Sequence, residues 1–200
     1  MKKRLVPLAF AAACLPLVWL VVQYLRGGLG RNPIDEGIND LGYIAFVFLA
    51  MTLACTPLQI VFKLKWPILL RKLLGDFCFF YACLHLSTYV VLDQGLSLPD
   101  LVQDVLKHKF IFLGMAAWLL MLPLAVTSTS GWQKRLGFRR WKRLHRVVYL
   151  CGGLAALHFF LRFKTPRPET VVWACVIALL LAVRVVEVVR RQRVRMLDSR

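Results

Sequence analysis

The sequence predicts an all-α integral membrane protein, a six-helix bundle with both termini in the cytoplasm. Three observations predict it. Of the 200 residues, 59% are hydrophobic and 18% charged, with a mean hydropathy of +0.63, more apolar than a soluble domain of ordinary composition. Apolar stretches long enough to cross a hydrocarbon core of about 30 Å recur six times. The charges fall between those stretches and at the two ends rather than inside them. A formal net charge of +17 would suit a nucleic-acid binder, but cations confined to loops between apolar spans are a topology signal. There is no glycine-rich phosphate loop and no zinc-finger spacing. One membrane domain over residues 1–200 is the economical count.

Residues 1–25 begin as a signal peptide does, with a basic start and an apolar core, and Ala12-Ala13-Cys14 resembles a cleavage site. The apolar run continues to Leu25, so a retained first span over about 5–25 is expected. A polar turn at 26–40 precedes the second span, about 41–62, where Thr56-Pro57 marks a kink because proline removes a backbone donor. The basic loop KLKWPILLRK leads to the third span, about 73–92, which carries His85, with Asp76 expected at the interface. A polar loop at 93–109 ends in Lys107-His108-Lys109; the fourth span is about 110–126. The longest basic loop, TSTSGWQKRLGFRRWKRLHR, enters the fifth span, about 144–161. That loop reads either as a topogenic stretch that binds lipid headgroups or as a landing site for an anionic electron donor or a flavin phosphate, with Trp132 and Trp141 as stacking surfaces. A proline-containing turn at 162–170 leads to the sixth span, about 171–189, and a basic tail. All six cysteines lie in apolar runs without a CxxC spacing, as small buried residues do.

With six spans, the lysines and arginines divide nineteen to seven between the two sides, the nineteen lying on the side of both termini. Arg184, inside the sixth span, is expected to snorkel to the interface. The positive-inside rule then places both termini in the cytoplasm.

Ionisable side chains inside a membrane are functional candidates by default. His85 lies about twelve residues into the third span and His158 about fourteen into the fifth, and both spans run outward. The two imidazoles therefore share a depth toward the periplasmic side, as a pair of axial haem ligands on parallel helices would. The alternative is two polar residues that satisfy each other or a carbonyl. His145 lies thirteen residues before His158, roughly 20 Å away along a helix and on a face about 140° removed. Rewinding at Gly152-Gly153 would bring both onto one face. His145 reads either as a ligand of a second haem, its partner not evident, or as an interfacial residue. His108, between two lysines, reads as a solvated loop residue. No acid–base pair or nucleophile constellation appears in the spans, so an electron-transfer subunit without catalysis of its own is expected.

The stretches LACTPL (53–58), LLGDFCFFYACLHLSTYVVLD (73–93), LPLAVTSTSGWQKRLGFRRWKRLHRVVYL (122–150) and LHFF (157–160) resemble the MsrQ family. These are the haem-binding membrane subunits of bacterial periplasmic methionine sulfoxide reductase systems, within the ferric-reductase-like transmembrane superfamily. The resemblance implies a six-helix bundle around haem b in the bacterial inner membrane, with His85 and His158 as the haem-iron pair and His145 as the third family histidine. It also implies FMN, for which no motif is visible. Electrons would come from the quinone pool or a cytoplasmic flavin reductase and pass to a periplasmic molybdopterin partner, MsrP, which repairs oxidised periplasmic proteins. The third span has one histidine where the oxidases of the superfamily have two. The chain stops eleven residues after Val189, so no flavin–nicotinamide domain is expected to be fused. Two other readings fit the residues: a quinol-linked cytochrome b or metal reductase with another acceptor, and a cofactor-free membrane scaffold or transporter in which the histidines join helices.

Overall fold

The computed structural model describes residues 2–163, 165 and 167–198; Lys164 and Arg200, counted in the charge balance above, lie outside them. Among the described residues nine α-helices and no strand occur. They are α1 (Lys2–Leu25), α2 (Pro33–Phe62), α3 (Trp66–Thr88), α4 (Leu98–Lys107), α5 (Lys109–Val126), α6 (Ser130–Leu136), α7 (Phe138–Leu144), α8 (Val148–Leu161) and α9 (Pro168–Asp198). Six spans are long and apolar enough to cross a membrane: Arg4–Leu25, Pro33–Phe62, Trp66–Asp93, Lys109–Val126, Phe138–Leu161 and Pro168–Arg190. These are the six that the hydropathy pattern predicts.

The helices overrun those stretches because their ends are built from polar capping residues. α2 begins eight residues before Leu41. The Asn32 side chain accepts from the Asp35 amide, Pro33 opens the helix, and Asp35 and Glu36 sit in its first turn, where acidic groups complement the helix dipole. α3 likewise absorbs most of the expected 63–72 loop by starting at Trp66-Pro67, after Lys63 closes α2 in a left-handed conformation. Two expected loops contain helices of their own. α4 opens on Ser97, whose hydroxyl accepts from the Asp100 amide. The basic loop folds as α6 and α7, with Thr129 capping the first and Gly137 (φ +72) turning the chain between them. α8 runs unbroken through Gly152-Gly153. The rewinding is instead a 3-10 turn at His145–Val147, between α7 and α8.

α2 packs most closely on α3, and α5 on α8, so two helix pairs face each other, with α9 against α2 and α8. The core between α1, α2 and α3 is aromatic. Phe48 stacks on Tyr81 at 5.4 Å and on Phe77 at 5.7 Å, and Tyr81 has no exposed surface. Its hydroxyl accepts from the Leu17 amide (3.2 Å) and donates to the Ala13 carbonyl (2.8 Å). Those are the two groups that a regular helix bonds to each other. The tyrosine thus joins α3 into the backbone ladder of α1 beside Pro16.

Arg184 corrects the snorkelling expectation: it is 6% exposed. Pro57 has no N–H, so the carbonyl four residues earlier, Leu53, loses its intrahelical donor. Arg184 Nη2 donates to that carbonyl at 2.5 Å, and Nη1 donates to the Tyr149 hydroxyl at 2.7 Å. Its guanidinium also lies over the Tyr149 ring, 4.8 Å from the centroid. A backbone group left unsatisfied in an apolar interior is costly, and the arginine repairs the gap that Pro57 opens.

Candidate cofactor site

The two helix pairs enclose a cavity of 690 Å³, within the usual size range for cofactor sites. His85, on the last turns of α3, and His158, on the last turns of α8, both line it. Their ring centres are 6.3 Å apart and their planes cross at 73°. Each ring is tied at the same atom to the neighbouring helix of its pair. Nδ1 of His85 is 2.8 Å from the Ile38 carbonyl of α2, and Nδ1 of His158 is 2.6 Å from the Phe110 carbonyl of α5. A carbonyl only accepts, so both Nδ1 atoms carry the proton and donate. Nε2 of each ring is then the unprotonated nitrogen, the form that binds a metal.

This donor set fits a haem. The 6.3 Å between ring centres would leave room for an iron at a metal–nitrogen distance of about 2 Å from each imidazole, and His85 and His158 are the residues that would hold it. Sequence depth alone brings these two histidines together. It does not show the carbonyls of Ile38 and Phe110 that hold them, nor Gly42 and Gly114, against whose backbone the rings lie. The one available signal was the presence of those glycines inside apolar helices. One turn after His85 the helix widens into a π turn, Tyr89–Asp93, and the Tyr89 amide bonds the carbonyls of both His85 and Leu86; such turns often mark functional sites.

Asp35, Asp104, His108 and Arg162 also line the cavity. His108 is half exposed, as expected of a loop residue, and pairs with Asp104 at 2.8 Å, to which the Tyr89 hydroxyl also donates. Arg162 is half-buried, one turn past His158. Burial lowers its pKa, and Asp35 nearby opposes that.

His145 stands apart from the pair, lining a second cavity of 320 Å³ with Arg71, Lys72, Gln133 and Trp141. Its ring stacks on Trp141 at 4.2 Å between centroids. Nε2 lies 3.1 Å from the Thr127 hydroxyl. That hydroxyl has one proton, which goes to the Pro123 carbonyl at 2.6 Å. His145 Nε2 must therefore be the donor, and the nitrogen that would meet an iron is engaged. The Trp141 indole N–H also donates to the Thr127 carbonyl (2.9 Å). Asp76, 40% exposed as expected, accepts from Ser128 (2.8 Å) and pairs with Lys72 (2.6 Å). Leu49, Cys78 and Met121 line both cavities and form the wall between them.

A bundle of apolar spans with a paired-histidine cavity defines a class, the multi-pass helical membrane proteins that house a metallocofactor between their helices. Residues 41–156 match the family described as the ferric reductase like transmembrane component. The chain is 44% identical over 184 residues to the methionine-sulfoxide reductase heme-binding subunit MsrQ of Rhodospirillum rubrum, covering 92% of this chain and 88% of that one. It is 42% identical over 178 residues to the MsrQ of Herminiimonas arsenicoxydans, covering 88% and 82%. The magnetosome protein MamZ of Magnetospirillum gryphiswaldense is 41% identical over 181 residues, which span 88% of this chain but 28% of that longer protein. The chain belongs to the ferric-reductase-like transmembrane family and, within it, to the MsrQ heme-binding subunits.

Proposed function

We propose that the chain is the electron-transfer subunit of a methionine sulfoxide reductase system in the bacterial inner membrane. It takes electrons on the cytoplasmic side, from the quinone pool or a flavin donor, and delivers them to a periplasmic molybdopterin partner, MsrP. The observation that carries this reading is the His85–His158 pair, 6.3 Å between ring centres with both Nδ1 atoms tied to backbone. When bound, haem b supplies one-electron transfer. The chain's residues do the rest. His85 and His158 offer Nε2 as ligands, and Arg162 offers a cation to the carboxylates of the group. The apolar helices exclude water and so tune the potential.

The chemistry of the second cavity supports a reading of one haem per chain, since His145 Nε2 donates to Thr127 and, among the described residues, no other histidine lines that space. Its aromatic wall of Trp141 and His145, with Arg71 and Lys72 beside it, suits the donor side, where a quinone or the FMN implied by the resemblance would arrive. The excess of lysine and arginine on the side of both termini supports a cytoplasmic location for that end.

Purified protein reduced by a quinol or a reduced flavin, then mixed with the molybdoenzyme, tests the reading. Reoxidation of the haem band by the partner, together with methionine sulfoxide reduction, is the expected outcome. Direct reduction of ferric iron with no response to the molybdoenzyme would instead make the chain a metal reductase.

A further inference from the structure

The two imidazoles are seated by the same device, which appears once on each helix pair. His85 donates to the carbonyl of Ile38, and four residues on in α2 stands Gly42. His158 donates to the carbonyl of Phe110, and four residues on in α5 stands Gly114. In each case the ring lies flat enough on the helix that a side chain at the glycine has no room. A Cβ on Gly42 would come 2.9 Å from Cε1 and 3.0 Å from Nδ1 of His85. On Gly114 it would come 2.7 Å from Nδ1 and 2.8 Å from Cε1 of His158. A packed ring tethered at Nδ1 does not yield several tenths of an ångström without rotating or leaving its acceptor. Other glycines in the same pairs carry no such constraint: a Cβ at Gly37 of α2 or Gly153 of α8 meets nothing within 4 Å.

We propose that Gly42 and Gly114 are positioning residues for the haem ligands, two backbone seats that let His85 and His158 reach the Ile38 and Phe110 carbonyls and hold their planes crossed at 73°. This rests on the haem reading above. Glycine is unfavourable in a helix interior, and the close approach of an imidazole to the backbone accounts for it at both positions. The seats have two chemical consequences. The Nδ1–H···O=C bond makes each imidazole a stronger donor, which favours the oxidised metal and lowers the reduction potential. Crossed imidazole planes leave two iron d orbitals nearly equal in energy, so the oxidised protein gives a strongly anisotropic low-spin electron paramagnetic resonance signal.

The test compares detergent-purified unsubstituted protein with Gly42→Ala, Gly114→Ala and the controls Gly37→Ala and Gly153→Ala. Midpoint potential, haem per protein and the resonance spectrum are measured for each. The expected result is a raised potential and a less anisotropic signal, or loss of haem, in Gly42→Ala and Gly114→Ala, with both controls matching the unsubstituted protein. Haem-loaded Gly42→Ala and Gly114→Ala with unchanged potential and spectrum would overturn the proposal and leave the haem reading intact. No haem in the unsubstituted protein would overturn the haem reading itself. If the two variants fail to accumulate, the unsubstituted protein decides. A strongly anisotropic signal supports the seats, and the rhombic signal of near-parallel planes contradicts them.

Discussion

At the scale of single residues, hydrogen-bond partners divide the three membrane histidines into a matched pair and a third that differs. His85 and His158 give their Nδ1 protons to backbone carbonyls and keep Nε2 free. His145 gives its Nε2 proton to Thr127 and turns its face to Trp141. His85→Ala and His158→Ala are therefore each expected to abolish the haem absorbance while the protein still inserts; full Soret intensity in both would contradict the pairing. His145→Ala is expected to keep the haem. Spacing along two outward-running spans was enough to match His85 with His158 in depth, because depth follows from a 1.5 Å rise per residue. What the sequence could not show is the other half of each seat. Ile38 and Phe110 act through their carbonyls, which every residue has, so their side chains carry no trace of the role.

At the scale of elements, Arg184 and Pro57 form one unit although 127 positions separate them. Snorkelling was the natural expectation for a cation near the end of a span. It fails because the proline leaves an unpaired carbonyl at Leu53, within reach of the guanidinium. Arg184→Leu removes a charged donor from a buried acceptor, at an expected cost of about 1.5–3 kcal/mol in stability. Restoring the missing N–H with Pro57→Ala in the same chain should recover a good part of that loss. Thermal unfolding of the two single variants and the double variant measures the coupling, and strict additivity would show that the contact does not compensate the proline. Hydropathy found the six spans but hid α4, α6 and α7, since short helices in polar loops leave no long apolar run. Their signals were the capping residues Ser97 and Thr129 and the amphipathic spacing of Leu98, Val102 and Leu106, all three exposed.

At the scale of the whole molecule, the two cavities lie in series across the bundle, divided by Leu49, Cys78 and Met121. The basic helices α6 and α7 lie at the end that holds the smaller cavity; Asp35, Asp104 and Arg162 line the larger one. If the termini are cytoplasmic, as the charge asymmetry implies, a reporter active only in the cytoplasm should work when fused at either end, and one active only in the periplasm should work within 93–109. The opposite pattern would put the paired histidines on the wrong side for a periplasmic partner. The central claim is a single haem held between α3 and α8. Haem per protein, from the pyridine haemochrome of the detergent-purified chain and of His145→Ala, tests it most directly. A ratio near one in both is the expected result. A ratio near two that falls to one in His145→Ala would contradict it, and would make His145 an iron ligand in spite of its bond to Thr127.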